Sequence, residues 1–225
     1  MIRQLPWAAT VVVLALMFGG ARDAAAAPIT ITGATSFEID WVMSDIDMAG
    51  HDLLATGLFT VNDLTSSELD LTVQITNNTT TDLGMFKENV LSIGWNAASP
   101  ITNVSTGAPG FAGGVFPDFS LNTNFPSFQN INLCAWAGNN CSGGPVNDGL
   151  FGDGSSDTFR LLLGGSFGDT PSVTLDTFAI KFQGDAGSFE FEGNGKEQVP
   201  EPTTLLLFGV ALALSAPALR RRAKR

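Results

Sequence analysis

The chain contains two cysteines, Cys134 and Cys141, with six residues between them. Two cysteines in an exported protein normally pair, because oxidising compartments keep thiols as disulfides. The intervening Gly138-Asn139-Asn140 can turn the chain back and bring the two Cα atoms within disulfide range. A tetrahedral metal site would need further Cys or His ligands, and the spacing is not the Cys-x-x-Cys of redox sites. The sequence therefore predicts a structural disulfide.

Three carboxylates lie in a glycine-rich stretch at residues 147–157, namely Asp148, Asp153 and Asp157. Oxygen ligands on flexible loops suit Ca²⁺, so these residues are candidate calcium ligands. Their spacing differs from that of an EF-hand, and a solvated acidic loop explains the same pattern. The sequence thus assigns no cofactor and leaves Ca²⁺ as the one ion with candidate ligands.

Residues for catalysis form no recognisable pattern. His51 is the single histidine, and its neighbours Gly50 and Asp52 are typical of a turn. The Gly-x-Ser-x-Gly elbow and the P-loop are absent from the sequence. Carboxylates that a glycosidase would need are numerous, but no pair is singled out. We therefore predict a protein that is not an enzyme, with a secreted polysaccharide hydrolase as the catalytic alternative.

The elements that must position these residues have the pattern of β-strands. Short segments alternate apolar and polar residues between clusters of Gly, Asn and Asp, and helix signals are scarce. The clearest is Leu69–Thr76, in which every second residue is apolar, and the turn-forming pair Asn77-Asn78 follows it. Further strands are predicted at residues 29–32, 36–41, 58–61 (before a turn at Asn62-Asp63), 90–95, 158–163, 173–182 and 188–191. This pattern predicts an all-β fold, an antiparallel β-sandwich with jelly-roll-like topology.

The middle of the chain, residues 96–156, is rich in Gly, Pro, Asn and Phe and poor in charge. It is too long for a simple connection, so we expect ordered loops with short strands, packed on the sandwich through their phenylalanines. The alternative is a surface that presents aromatic side chains to a glycan. In that case the protein is a carbohydrate-binding module, and replacing Trp95 or Trp136 by Ala abolishes glycan binding.

The C-terminus consists of a proline-containing motif, an uncharged apolar run and a basic end. The run, Thr203–Leu219, would rise about 25 Å as a helix, close to the thickness of a hydrocarbon core, and predicts a transmembrane helix. The basic end predicts a cytoplasmic C-terminus by the positive-inside rule. The motif is Val199, Pro200, Glu201 and Pro202, and the basic residues are Arg220, Arg221, Arg222, Lys224 and Arg225.

This order of blocks over residues 199–225 resembles the PEP-CTERM sorting signal of Gram-negative envelope proteins. The resemblance implies recognition near Pro200-Glu201-Pro202 by an exosortase, an integral-membrane enzyme with a cysteine nucleophile. The segments 153–159 and 173–183 are in addition similar to PEP-CTERM proteins called the cistern group. Both resemblances concern how the protein is handled and imply no biochemical activity.

The N-terminus predicts export. Residues 1–26 combine an early cation, Arg3, with an apolar stretch and a run of small residues, which indicates a signal peptide cleaved after Ala26 by signal peptidase. The exported domain, residues 27–198, then carries four Lys or Arg residues and 20 Asp or Glu residues, a formal charge of −16. Such a charge repels nucleic acid, and it aids solubility.

Together these features predict a non-catalytic exported protein of the cell surface or of the biofilm's extracellular polysaccharide matrix. The precursor uses the general secretion machinery and is anchored in the inner membrane, facing the periplasm, until the exosortase acts.

Overall fold

The computed structural model describes residues 27–46, 50–82, 87–106 and 114–196. These residues form twelve β-strands and one three-residue 3-10 helix, Val146–Asp148. The prediction of an all-β protein is confirmed for this part of the chain. The strands are β1 (Ile29–Ile31), β2 (Thr35–Met43), β3 (Leu53–Leu64), β4 (Glu68–Asn77), β5 (Glu88–Ala97), β6 (Ile101–Thr106), β7 (Asp118–Phe125), β8 (Gln129–Trp136), β9 (Ser155–Gly165), β10 (Val173–Gly184), β11 (Ser188–Glu192) and β12 (Asn194–Lys196).

The strands form two six-stranded sheets in which neighbouring strands are antiparallel. Sheet A has the order β1-β10-β5-β8-β7, and β11 pairs with β10 on the edge opposite β5. Sheet B has the order β12-β2-β3-β4-β9-β6. The two sheets share one hydrophobic core, as expected of a sandwich.

The jelly-roll part of the prediction is wrong for sheet B. Strands β2, β3 and β4 are neighbours both in the chain and in the sheet, so they form a meander. The reason is a tight turn after β3, in which Thr65 Oγ1 accepts the N–H groups of Ser67 (3.3 Å) and Glu68 (2.9 Å). The turn predicted at Asn62-Asp63 is also wrong, because both residues lie inside β3 beside a register shift.

The core forms where alternating strands turn their apolar faces inward. Phe59 of β3 meets Trp95 of β5 (ring centroids 5.3 Å apart) and Phe178 of β10 (5.4 Å), both edge-to-face. The predicted face of β4 is confirmed, since its apolar residues at every second position are buried. Asn77, predicted as a turn residue, instead ends β4 inside the core, where its amide donates to the carbonyls of Glu88 and Leu150 (2.9 Å each).

Sheet A is covered on both faces. Strand β5 buries eight consecutive residues, Glu88–Trp95, which leaves no alternation. A second, smaller cluster of buried residues packs on its outer face, and it consists of Phe125, Ile131, Cys134, Cys141 and Ala179.

The middle segment, residues 96–156, is more regular than the sequence suggested. It contains β6, which belongs to sheet B, and β7 and β8, which belong to sheet A. Phe116 and Phe125 are buried, and Phe119 and Phe128 are half-buried. Phe116 and Phe119 pack in the shared core, and Phe125 and Phe128 pack in the smaller second cluster. Phe111 lies outside the described residues.

Candidate functional site

The last part of the described chain, Gly184–Lys196, connects the body to the C-terminal motif, and we call it the C-terminal strap. It begins with a turn in which Gly184 N donates to Gly187 O at 2.9 Å. The strap continues as β11 along β10 of sheet A, and then as β12 along β2 of sheet B. It therefore ties the two sheets together and ends three residues before Val199.

The strap crosses from one sheet to the other at Gly193. Its N–H donates to Phe178 O at 2.8 Å, and the indole of Trp41 donates to the same carbonyl at 2.9 Å. A Cβ atom at Gly193 would lie 2.5 Å from Ile39 Cγ2 and 2.6 Å from Trp41 Nε1. The crossing therefore requires glycine, because any side chain would push the strap off the sheet edge.

A buried carboxyl lies under the first turn of the strap. Glu88 at the start of β5 is 0% exposed, and its Oε1 accepts a hydrogen bond from Ala186 N at 2.6 Å. Its Oε2 is buried with no hydrogen-bond partner within the described chain. Burial raises the pKa of Glu88 to about 7, the charge of Asp185 adds to the rise, and the N–H groups of Ala186 and Gly187 oppose it. Sequence reasoning missed Glu88, because a glutamate before an apolar run looks like a solvated residue.

Further charges hold the strap along β11. Lys181 of β10 is 3% exposed, and its ammonium donates to Ser188 Oγ at 2.5 Å and to a carboxylate oxygen of Glu190. Burial raises the pKa of Glu192, and the nearby charge of Asp176 adds to the rise. The strap thus depends on polar contacts that are buried within the protein.

The disulfide joins Cys134 at the end of β8 to Cys141, with their Cα atoms 6.2 Å apart. Ser92 Oγ of β5 donates to the carbonyl of Cys141 at 3.1 Å, which attaches the loop to the outer face of sheet A. Gly143 lies against β10, where a Cβ atom would be 3.1 Å from Lys181 Cε. The segment just after the disulfide loop therefore covers the buried Lys181.

The predicted sorting elements themselves lie outside the described residues. They are the signal peptide (1–26), the motif Val199, Pro200, Glu201 and Pro202, the apolar run (203–219) and the basic residues Arg220, Arg221, Arg222, Lys224 and Arg225. Within the described ranges, no helix is long and apolar enough to cross a membrane.

Comparison with protein families bears on this C-terminal region. The family model of the PEP-CTERM protein-sorting motif matches residues 198–223. The chain carries a PEP-CTERM sorting signal. The signal implies processing by an exosortase and an exported protein of Gram-negative type. No curated protein and no solved structure matches the chain, and the narrower resemblance to the cistern group stays a prediction.

The candidate calcium ligands have separate structural partners. The Asp153 carboxylate accepts the N–H of Thr81 at 2.9 Å and its hydroxyl, and these hydrogen bonds hold the pKa of Asp153 below its usual value. Asp157 Oδ2 accepts the N–H of Phe116 at 3.0 Å, and Asp148 ends the 3-10 helix. Among the described residues, no three Asp, Glu, His or Cys side chains lie close enough to hold a metal ion. The three aspartates are therefore not brought together.

His51 is paired with a residue that the sequence did not suggest. Its Nε2 lies 2.8 Å from Asp82 Oδ2, beside a polar depression that Asp52 and Thr80 also line. Asp52 Oδ1 instead accepts the N–H of Asp45 at 2.9 Å, which closes the local turn. These contacts are those of a turn that links two segments.

The two tryptophans of the carbohydrate-binding alternative have different surroundings. Trp95 is 1% exposed in the shared core, so it cannot stack on a sugar. Trp136 is half-buried beside the disulfide cluster, and its indole donates to Ser120 Oγ at 3.2 Å. Loss of glycan binding in a Trp95→Ala variant would therefore report unfolding, and Trp136→Ala is the informative variant of the two.

Proposed function

We propose that this PEP-CTERM protein is a non-catalytic structural or adhesive component of the cell surface or the extracellular polysaccharide matrix. Its precursor leaves the cytoplasm through the general secretion machinery and loses residues 1–26 to signal peptidase. The apolar run 203–219 then anchors it in the inner membrane, with the body facing the periplasm, until an exosortase acts at the motif.

The observation that carries this proposal is the position of the sorting signal relative to the fold. The matched motif begins at residue 198, two residues after β12 ends. Every strand of the described body lies before it, so cleavage near Pro200-Glu201-Pro202 removes no strand from either sheet. A body complete without its tail can be released or transferred as a folded module.

Two features of the body support an extracellular role. The disulfide of Cys134 and Cys141 suits an oxidising compartment. The formal charge of −16 over residues 27–198 favours solubility and disfavours binding to nucleic acid or anionic lipid.

The test is intact-mass and C-terminal peptide spectrometry on the protein isolated from its native envelope. We expect the mature protein to lack residues 203–225, with a new C-terminus near Pro200-Glu201-Pro202. A triple variant with Pro200→Ala, Glu201→Ala and Pro202→Ala should keep the tail, because the enzyme loses its recognition element. The matched control is Glu197→Ala, which lies just outside the matched motif. A wild-type protein that retains residues 203–225 would contradict sorting and leave a membrane-tethered domain.

A further inference from the structure

The contact between Glu88 and the strap turn joins a group that can change its charge to the segment that leads into the sorting signal. The carboxyl is 0% exposed, with one oxygen bound to Ala186 N and the other without a partner in the described chain. In this setting the neutral carboxyl has the lower free energy, because burying a charge without a counter-ion costs far more free energy than burying a neutral group.

Among the residues that the structure describes, the charged groups around Glu88 provide no counter-ion. Asp185, in the strap turn, is an acid whose Oδ2 accepts the N–H of Lys87 at 2.9 Å. Lys181, the cation of β10, is bound to Ser188 and Glu190. Lys87, beside Glu88 in the chain, is exposed. Ionised Glu88 would therefore face the negative charge of Asp185.

The strap consists of short strands at the edges of the two sheets. Its strands have five and three residues, both lie at sheet edges, and the turn contains Gly187 at a φ of +136°. Short edge strands open at lower free energy than the long central strands of a sheet. The chain after the strap enters the sorting signal at residue 198.

We propose that Glu88 is a pH-responsive latch on the C-terminal strap. The protonated carboxyl holds the turn at Ala186 closed, and its ionisation opens Gly184–Lys196 and releases the chain that leads into the sorting signal. The released strap gives a membrane-bound enzyme access to the motif away from the folded body. This last link rests on the proposed function, whereas the latch itself does not.

The direction of the pH effect follows from the pKa of Glu88 in the two states. The pKa of Glu88 is about 7 in the closed strap, and we take the ordinary glutamate value of 4.5 for the open strap, in which water reaches the carboxyl. The closed strap is therefore most stable below pH 4.5, and its stability is lost as the pH rises towards 7. Between about pH 5.5 and about pH 8.5, linkage gives a rise in the open population of about 30-fold.

Hydrogen exchange followed by mass spectrometry on the purified full chain in detergent tests the latch. After correction for the intrinsic exchange rates, peptides from 185–196 should open about 30-fold more at the higher pH, while peptides from β3 stay protected. Glu88→Gln keeps the shape of the side chain but cannot ionise, so it should remove the pH dependence of exchange in the strap. Glu68→Gln, the same change at an exposed position of sheet B, should leave it intact.

Two results would overturn the latch. One is a strap whose corrected exchange is the same at both pH values. The other is a rise in exchange that is equal in the strap and in β3, which would mean global destabilisation. Both can be read from the wild-type protein alone, so the test stands even where Glu88→Gln fails to fold.

The link to sorting has its own readout in cells. At an external pH near 8, tail removal should be slower for Glu88→Gln than for the wild type. Equal rates, together with a strap that opens in the exchange experiment, would overturn the link and leave the latch in place. A wild-type protein that keeps residues 203–225 would instead overturn the proposed function.

Discussion

Sheet B and sheet A bury their strands in different ways. In sheet B the pairing of β2 with β3 runs through nine residue pairs and that of β4 with β9 through ten, without a shift. In sheet A the pairing of β10 with β5 shifts register at two places, and β5 is buried on both faces. Sheet B thus has a solvated outer face, whereas the outer face of sheet A is covered by the disulfide loop and the small second cluster.

A covered sheet face restricts the polar residues that the sequence can place on it. Polar residues there must find partners inside the protein, because water is excluded. Asn89 donates to Val146 O at 2.8 Å, Ser92 donates to Cys141 O at 3.1 Å, and Lys181 binds Ser188 and Glu190. Glu88 is the member of this set with an oxygen left unpaired, which is why the latch lies in sheet A.

The largest effect is expected in the core that both sheets share. Trp95→Ala should reduce the free energy of unfolding by about 3–5 kcal/mol, because it removes a ring that is packed edge-to-face on Phe59. Leu58→Ala, on the half-exposed outer face of sheet B, should cost less than about 1 kcal/mol. Urea denaturation followed by circular dichroism measures both. Equal costs would mean that the outer face of sheet B is also covered, and the contrast between the sheets would be wrong.

The disulfide gives an intermediate effect that should be confined to sheet A. Replacing both Cys134 and Cys141 by Ala should cost about 2 kcal/mol, because the closed loop is short. Hydrogen exchange should increase in β8 and in β10 near Lys181, which the segment just after the loop covers, and should stay unchanged in β3 and β4. Equal increases in both sheets would show that the loop stabilises the whole domain rather than one face.

The smallest effect is expected from the partly buried ion pair of Asp70 and Arg160 in sheet B. The Arg160 guanidinium, bound to Asp70 through both carboxylate oxygens, holds the pKa of Asp70 below its usual value of 3.8. The ion pair therefore stabilises the folded state above pH 3.8, and this stabilisation is lost as the pH falls through the lower pKa of Asp70 in the folded state. Asp70→Asn should therefore cost about 1 kcal/mol at neutral pH and little in strong acid. The comparison is a urea titration at several pH values, with Asp63→Asn as the exposed control. A cost that does not depend on pH would exclude the ion pair as its source.

Sequence patterns located the strands whose two faces differ. Leu69–Thr76 and 173–182 were predicted because apolar and polar residues alternate there, and both lie within observed strands. Strand β12 was not predicted, and β6, β7 and β8 were expected only as unlocated short strands within residues 96–156. They are short or rich in Asn, Ser and Thr, and they belong to sheets because neighbouring strands complete their hydrogen bonds.

For the candidate site, predictability depended on whether distant segments meet. The cysteine pair could be predicted because six residues separate its members and the chain has no other cysteine. The contact of Glu88 with Ala186 spans 98 residues, and no local pattern indicates it. The pairing of His51 with Asp82 was missed for the same reason, and Trp95 was a ligand candidate until the structure placed it in the core.

The sequence by itself determined the sorting signal, the all-β class and the cysteine pair. A sorting signal is read as a linear segment by another protein, and alternation and cysteine number are local properties of the chain. The tertiary structure alone decided that β2, β3 and β4 form a meander, that Glu88 is sealed and that the strap ties the two sheets together. Burial is the reason, because the solvent exposure of a residue is set by segments far away in the chain, and burial determines the pKa of Glu88.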